Sequence, residues 1–237
     1  MKVKSIKFKT AIASIFASIF NSTLIPILAS QFLLVACSAS DVSVERKKPD
    51  IQTVFFDPEN FEGTANHPEL EPNEQALTEW EFGCQTNFDF DIMEESRMST
   101  GKYFVRLKIK NVKMILSAPI KIWLPKNAAP DVVAHEKGHQ DICVRAYAES
   151  DEVARRAARS VVEKSFEAEG DSREEACKKA LFQAQGAVCA IYHQDVSDYA
   201  SCISEIYDSI DSTEKGDSKD FVERAFRNYK RVSNTKQ

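Results

Sequence analysis

Hydrophobic positions alternate with polar ones through the stretch from residue 80 to 124. Trp80, Phe82 and Cys84, then Phe88, Phe90 and Ile92, fall on one parity, the pattern of a half-buried strand. After a turn at Ser99-Thr100-Gly101, Tyr103, Val105, Leu107 and Ile109 repeat it. The parity then slips to Val112, Met114 and Leu116, which predicts a bulge near Lys110-Asn111. Ala118 to Leu124, closed by Pro125, reads as a third strand, and Ile51 to Phe56 as a short one before it. Between them, Asp57 to Asn73 carries Pro58, Gly63, Pro68 and Pro72 and reads as loop. The expected product is a small antiparallel sheet, its aromatic stripe serving as core.

From Asp131 the period changes to that of a helix. Asp131, after Pro130, is the expected N-cap, and the helix is expected to run to about Glu169 and stop at Gly170. Asp171 or Ser172 caps a second helix to about Ser209. A loop follows over 211–219, then a short helix from Phe221 to Tyr229. The expectation is an α+β fold in which the small antiparallel sheet precedes a long antiparallel helical hairpin.

The first helix holds the most specific chemistry in the chain, His135-Glu136-Lys137-Gly138-His139. Positions i and i+4 share a helix face, so His135 and His139 can present two imidazoles to one Zn²⁺. Glu136, beside them, is the expected general base for the attacking water. The chain has four histidines in 237 residues, so two at this spacing around a glutamate carry weight. A hydrolytic zinc site needs three protein ligands and an open position. The longer motif with a third histidine six residues on is absent, because Ile142 and Arg145 occupy the positions it would use. In a hairpin turning near residue 171, residues 135 and 139 face roughly 207 and 203. That level contains Glu205 and Asp208, so the third ligand is expected to be one of these two carboxylates and not His193. Tyr207 at the same level is either an oxyanion donor or a core tyrosine. The same arithmetic sets Cys143 near Cys202 as a candidate disulfide. His67 lies in the loop and is expected to be exposed.

The N-terminus changes the picture of location. Lys2, Lys4, Lys7 and Lys9 precede an apolar run from Ala11 to Ala36 that ends in Leu34-Val35-Ala36-Cys37. Residues 1–36 read as a signal peptide, and the final four residues look like a bacterial lipobox, with cleavage before Cys37 and a lipid on its thiol. An uncleaved membrane anchor is the alternative. Ser38 after the cysteine, by similarity to Gram-negative lipoproteins, implies the periplasmic face of the outer membrane. Residues 37–50 then read as a flexible tether and 51–237 as the domain. Removing the four leader lysines from 31 basic residues leaves 27 against 36 acidic ones, a net charge of −9, which argues against a nucleic-acid surface. The chain has six cysteines, so five remain besides Cys37, and export permits disulfides.

From about Trp80 to Gly216 the chain resembles the bacterial predicted secreted zinc-dependent proteases catalogued as domain-of-unknown-function family 922. The resemblance rests on Trp80 and Cys84, the strand ending Leu124-Pro125, and His135-Glu136-x-Gly138-His139 followed by Asp141-Ile142. It extends to Tyr207-Asp208 with Thr213-Glu214-Lys215-Gly216, where the family pattern is Tyr-Asp-x-x-Thr-x-His-Gly. Two extra residues precede Thr213, and Lys215 stands where the family has histidine. The resemblance implies a zincin-like fold and a zinc metallopeptidase acting on a protein or peptidoglycan peptide of the cell envelope. The competing expectation is a non-catalytic envelope lipoprotein, a binding module with a structural or vestigial zinc site.

Overall fold

The computed structural model describes residues 41–58, 70, 75–213 and 216–234. Cys37, the leader, His67 and Lys215 lie outside the described residues. Among the described residues, seven strands and four helices follow in the order β1 (Val42–Arg46), β2 (Asp50–Phe56), β3 (Leu77–Trp80), β4 (Gly83–Arg97), β5 (Tyr103–Ser117), β6 (Pro119–Pro125), α1 (Pro130–Ala148), α2 (Asp151–Arg159), β7 (Ser165–Gly170), α3 (Arg173–Asp211) and α4 (Ser218–Asn234). The fold is α+β.

The strands form two mixed sheets in place of the single antiparallel sheet expected. One has the order β1-β5-β4, with β7 also on β5; the other has the order β2-β6-β3. In the first, β1 runs parallel to β5 while β4 and β7 run antiparallel to it. In the second, β2 is parallel and β3 antiparallel to β6. The two orders match strand for strand, because the chain passes between sheets in three places along one line: Lys47–Pro49, Glu81–Phe82 and Ala118. Backbone bonds Lys47 N to Leu116 O, Asp50 N to Ala118 O and Glu81 N to Pro119 O tie the three crossings together. At one crossing Gly83 meets β5 so closely that a Cβ there would stand 2.1 Å from Ser117 Oγ. The alternation from Trp80 to Ile92 is thus two strands in different sheets, with Phe82 fully buried at the crease.

The bulge lies where the parity slip placed it. Asp89 pairs with Asn111 and Phe90 with Ile109, leaving Lys110 as the extra residue of β5. Val105, Leu107 and Ile109 before it, and Val112, Met114 and Leu116 after it, are all buried.

Residues 37–50 are not all tether. Val42–Arg46 is a strand of the first sheet, and Val42 is 1% exposed. Only Val42 and Val44 mark it as a strand, because the polar residues around them serve its outward face and its partner β5 is far away in sequence.

The long helical hairpin is also corrected. The expected helix of 131–169 is α1, α2 and β7. The break follows Ala148, and Glu163 takes a positive φ of 62° in the turn that enters β7. Ser165–Gly170 then pairs with Tyr103–Lys108 of β5. The cap of α1 is Ala129, with Pro130 in the first turn, and not Asp131. Ser172 does cap α3, accepting a hydrogen bond from Glu175 N.

Burial explains the arrangement. Ala176, Ala180, Ala184 and Val188 recur every four residues on α3 and are fully buried, so the helix axis can approach the sheet closely. Farther along, Ile203, Tyr207 and Ile210 join Ile142 of α1 and Phe221, Val222, Ala225 and Phe226 of α4 in a second cluster. The start of α1 rests on the second sheet through Val132 and Val133 against Ile122 and Leu124. The second turn of α1 is therefore enclosed by β3, the end of α3 and the start of α4.

The expected Cys143–Cys202 bridge is absent. The disulfide joins Cys84 at the start of β4 to Cys189 in α3, with a Cα–Cα distance of 5.6 Å. Cys143 is a buried thiol and Cys202 an exposed one. Ile203, next along α3, takes the inward position beside Ile142.

Candidate metal centre

His135 and His139 lie one turn apart on α1, and Asp208 lies on the last turns of α3. Their facing atoms form a small triangle. His135 Nε2 and His139 Nε2 are 3.2 Å apart, and Asp208 Oδ1 stands 3.0 Å from His139 Nε2 and 3.4 Å from His135 Nε2. Two ligands about 2.05 Å from a tetrahedral Zn²⁺ stand about 3.3 Å apart, so the triangle has the dimensions of three corners of such a site. Asp208 Oδ1 is buried and receives no hydrogen bond among the described residues; its close neighbours are the two imidazole nitrogens. A buried carboxylate oxygen against two nitrogen lone pairs is costly unless protons or a cation lie among them. His135, His139 and Asp208 could therefore hold a metal ion. Their side chains keep 14%, 11% and 9% of their surface exposed, so the group is largely buried.

The sequence places these acids against the interest of the helix that carries them. Asp208 and Asp211 fall in the last turn of α3, and that turn has no basic residue. Carboxylates at a helix C-terminus oppose the macrodipole by about 0.3–1 kcal/mol each. A cationic or proton-donating partner offsets this, and α1 supplies the histidines. Asp211 Oδ2 lies 2.9 Å from His135 Nδ1, on the side of the ring away from the triangle.

Glu136 is held from β3 by a side-chain hydrogen bond. It is 4% exposed, and one carboxylate oxygen, Oε2, accepts a 2.7 Å hydrogen bond from Thr78 Oγ1. Burial raises its pKa above the ordinary carboxylate value, against the lowering effect of His139, of Thr78 and of His135. For His139 burial opposes the charged form, but the carboxylates of Asp208, Glu136 and Asp211 outweigh it and raise the pKa.

Three successive backbone carbonyls of this turn each take a side-chain donor from a different element. Ser218 of α4 donates to Ala134 O at 2.8 Å, Tyr207 of α3 to His135 O at 3.2 Å, and Thr78 of β3 to Glu136 O at 3.2 Å. Tyr207 Oη and Ser218 Oγ also stand 2.9 Å apart. Tyr207 is fully buried, and burial raises its hydroxyl pKa. Its proton is directed at the backbone of α1, which makes it a core tyrosine of the centre. The close fit accounts for Gly138, where a Cβ would lie 2.3 Å from Tyr207 Oη.

Of the residues the sequence nominates, the structure brings together His135, His139 and Asp208, with Glu136 beside them. The rival Glu205 is exposed on another face of α3, and His193 sits by Glu81 and the Phe82 backbone. Sequence reasoning missed Asp211, Thr78 and Ser218. Asp211 had a signal, since it lies three residues after Asp208 on one helix face. Thr78 and Ser218 had none, because only tertiary packing brings them to α1.

Comparison with known protein families, curated proteins and solved structures finds no match.

Proposed function

We propose that this protein is a zinc-dependent metallopeptidase, zincin-like in its catalytic helix, exported and held at the cell envelope by a lipid on Cys37. The observation that carries the reading is the convergence of His135, His139 and Asp208 on one point, with the buried carboxylate of Glu136 on the same helical turn. The nitrogen–nitrogen–oxygen donor set and its spacing suit Zn²⁺. The resemblance to the family 922 proteases supports the same chemistry, and its Tyr-Asp pair corresponds to Tyr207 and Asp208.

Zinc bound to these three residues supplies Lewis acidity, polarising a substrate carbonyl and making water a better nucleophile near neutral pH. Glu136, held at Oε2 by Thr78, keeps Oε1 for the proton of the attacking water. Oxygen bonds to the peptide carbon, the carbon–nitrogen bond breaks, and Glu136 passes the proton to the leaving amine. Its raised pKa suits a group that must both take and return a proton. The substrate is a peptide bond in an envelope protein or in a peptidoglycan cross-link.

The alternative is a binding module in which the metal is structural. A structural zinc is closed by four protein ligands, whereas the cluster offers three among the described residues. The test has two arms. Zinc content of purified protein is expected near one per chain in wild type and much reduced in His135→Ala, His139→Ala and Asp208→Ala. Glu136→Gln is expected to keep its zinc and lose hydrolysis of envelope peptides by about 10²–10⁴-fold. Equal hydrolysis by wild type and Glu136→Gln would give the binding module the better claim.

A further inference from the structure

We propose that Asp211 is a positioning residue for the metal centre, fixing His135 with its proton on Nδ1 and its Nε2 lone pair turned toward the point shared with His139 and Asp208. The inference rests on the metal reading above. An ionised carboxylate can only accept hydrogen bonds. With Asp211 Oδ2 at 2.9 Å, Nδ1 must therefore be the donor, and Nε2 is left as the ligand. Nε2 is the atom 3.2 Å from His139 Nε2 and 3.4 Å from Asp208 Oδ1. Asp211 is not itself one of the converging ligands, because it meets the opposite side of the ring.

The two histidines differ in this respect. His139 Nδ1 is buried and has no hydrogen-bond partner among the described residues, so packing holds that ring, partly against Tyr207 at a centroid distance of 5.1 Å. His135 is more exposed and has its orientation set from outside by a charge. Asp211 is the last residue of α3, where a carboxylate disfavours the helix. An ionised carboxylate has no proton to offer the unpaired carbonyls of this helix end. Asp211 instead turns to the imidazole of another helix. Carboxylate partners of this kind raise the basicity of a ligating histidine and fix its tautomer.

The experiment uses the full chain with Zn²⁺ as probe, and compares wild type, Asp211→Ala, Asp211→Asn and Asp208→Ala. Zinc dissociation constants come from chelator competition. Asp211→Ala is expected to bind about 10–100-fold more weakly, with Asp211→Asn intermediate because its amide oxygen still accepts from Nδ1. In NMR of the zinc-loaded protein, the His135 Nδ1 proton is expected to be downfield and slow to exchange, and to lose both properties in Asp211→Ala. The unfolding midpoint of metal-free Asp211→Ala is expected to match wild type. Wild-type affinity in Asp211→Ala, while Asp208→Ala binds weakly, overturns the role of Asp211 and leaves the metal reading standing. A fall in affinity matched by a fall in the metal-free midpoint also overturns it, as a purely structural effect. Equally weak binding by wild type and Asp208→Ala removes the metal reading and Asp211's role with it.

Discussion

Thr78 is a small residue with two tasks. Its single hydroxyl proton is shared between Glu136 Oε2 at 2.7 Å and Glu136 O at 3.2 Å, and the residue is 4% exposed. A buried carboxylate with one oxygen held has the other left free, so in the proposed mechanism Thr78 would set which oxygen takes the proton of the water. Thr78→Val keeps the shape and removes the donor. It is expected to cost about 1–3 kcal/mol of stability, because a buried acceptor loses its partner. Any hydrolysis is expected to fall about tenfold in kcat, with KM little changed, if the carboxylate swings out of line. Thr78→Ser should restore both. Unchanged turnover in a folded Thr78→Val enzyme would remove Thr78 from the chemistry and leave it a place in the core.

At the scale of elements, the turn of α1 that carries His135 and His139 is gripped by β3, α3 and α4 together. Gly138 makes the grip possible, since a methyl there would overlap Tyr207 Oη and Cζ at 2.3 and 2.4 Å. Gly138→Ala normally helps a helix, by roughly 1 kcal/mol. Here overpacking is expected to reverse the sign and cost about 1–3 kcal/mol, with weaker metal binding as α1 shifts away from α3. Denaturant unfolding of the metal-free protein checks the first part; a stabilised Gly138→Ala would mean that Tyr207 moves freely. The elements that sequence reasoning recovered are those with a strong local period. The β5 alternation with its slip at Lys110, and the i, i+4 histidines of α1, need no distant partner to be recognised. The missed elements, β1 and β7, depend on the edge of β5. Phe166 and Ala168 do alternate, but Glu and Ala favour helices, and nothing local reveals that β5 has a free edge to fill. Asp208 stands beside the two histidines although the hairpin differs from the one expected. His135 and His139 meet Asp211 and Asp208, which lie four to five residues beyond the expected levels of 207 and 203. A shift near one helical turn keeps the same face of α3 inward. That shift carries Ile203, not Cys202, to the level of Ile142 and Cys143, so the disulfide expectation failed while Asp208 still reaches the two histidines.

At the scale of the whole molecule, one covalent link spans the sheet and the longest helix. Cys84 and Cys189 are 105 residues apart in sequence and join the start of β4 to the middle of α3. Between them lie β5, β6, α1, α2 and β7, with the two histidines and Glu136 among them. Closing a loop of that length removes chain entropy from the unfolded state worth about 4–5 kcal/mol, on a model whose entropic origin is disputed. A metal held by His135, His139 and Asp208 would add a second link, from within that loop to the chain beyond it. Cys84→Ala with Cys189→Ala is therefore expected to lower the stability of the metal-free protein by about 3–5 kcal/mol. Excess Zn²⁺ should recover part of the loss, because a ligand that binds only the folded state stabilises it. Cys143→Ala removes a buried sulfur and should cost about 1 kcal/mol by cavity formation. Cys202→Ser, on an exposed thiol, should cost near nothing. Urea unfolding of the four proteins under non-reducing conditions gives the ranking. A loss for Cys202→Ser as large as that for the Cys84 and Cys189 double variant would return the bridge to Cys143 and Cys202, and would tie α1 to α3 directly beside the metal ligands.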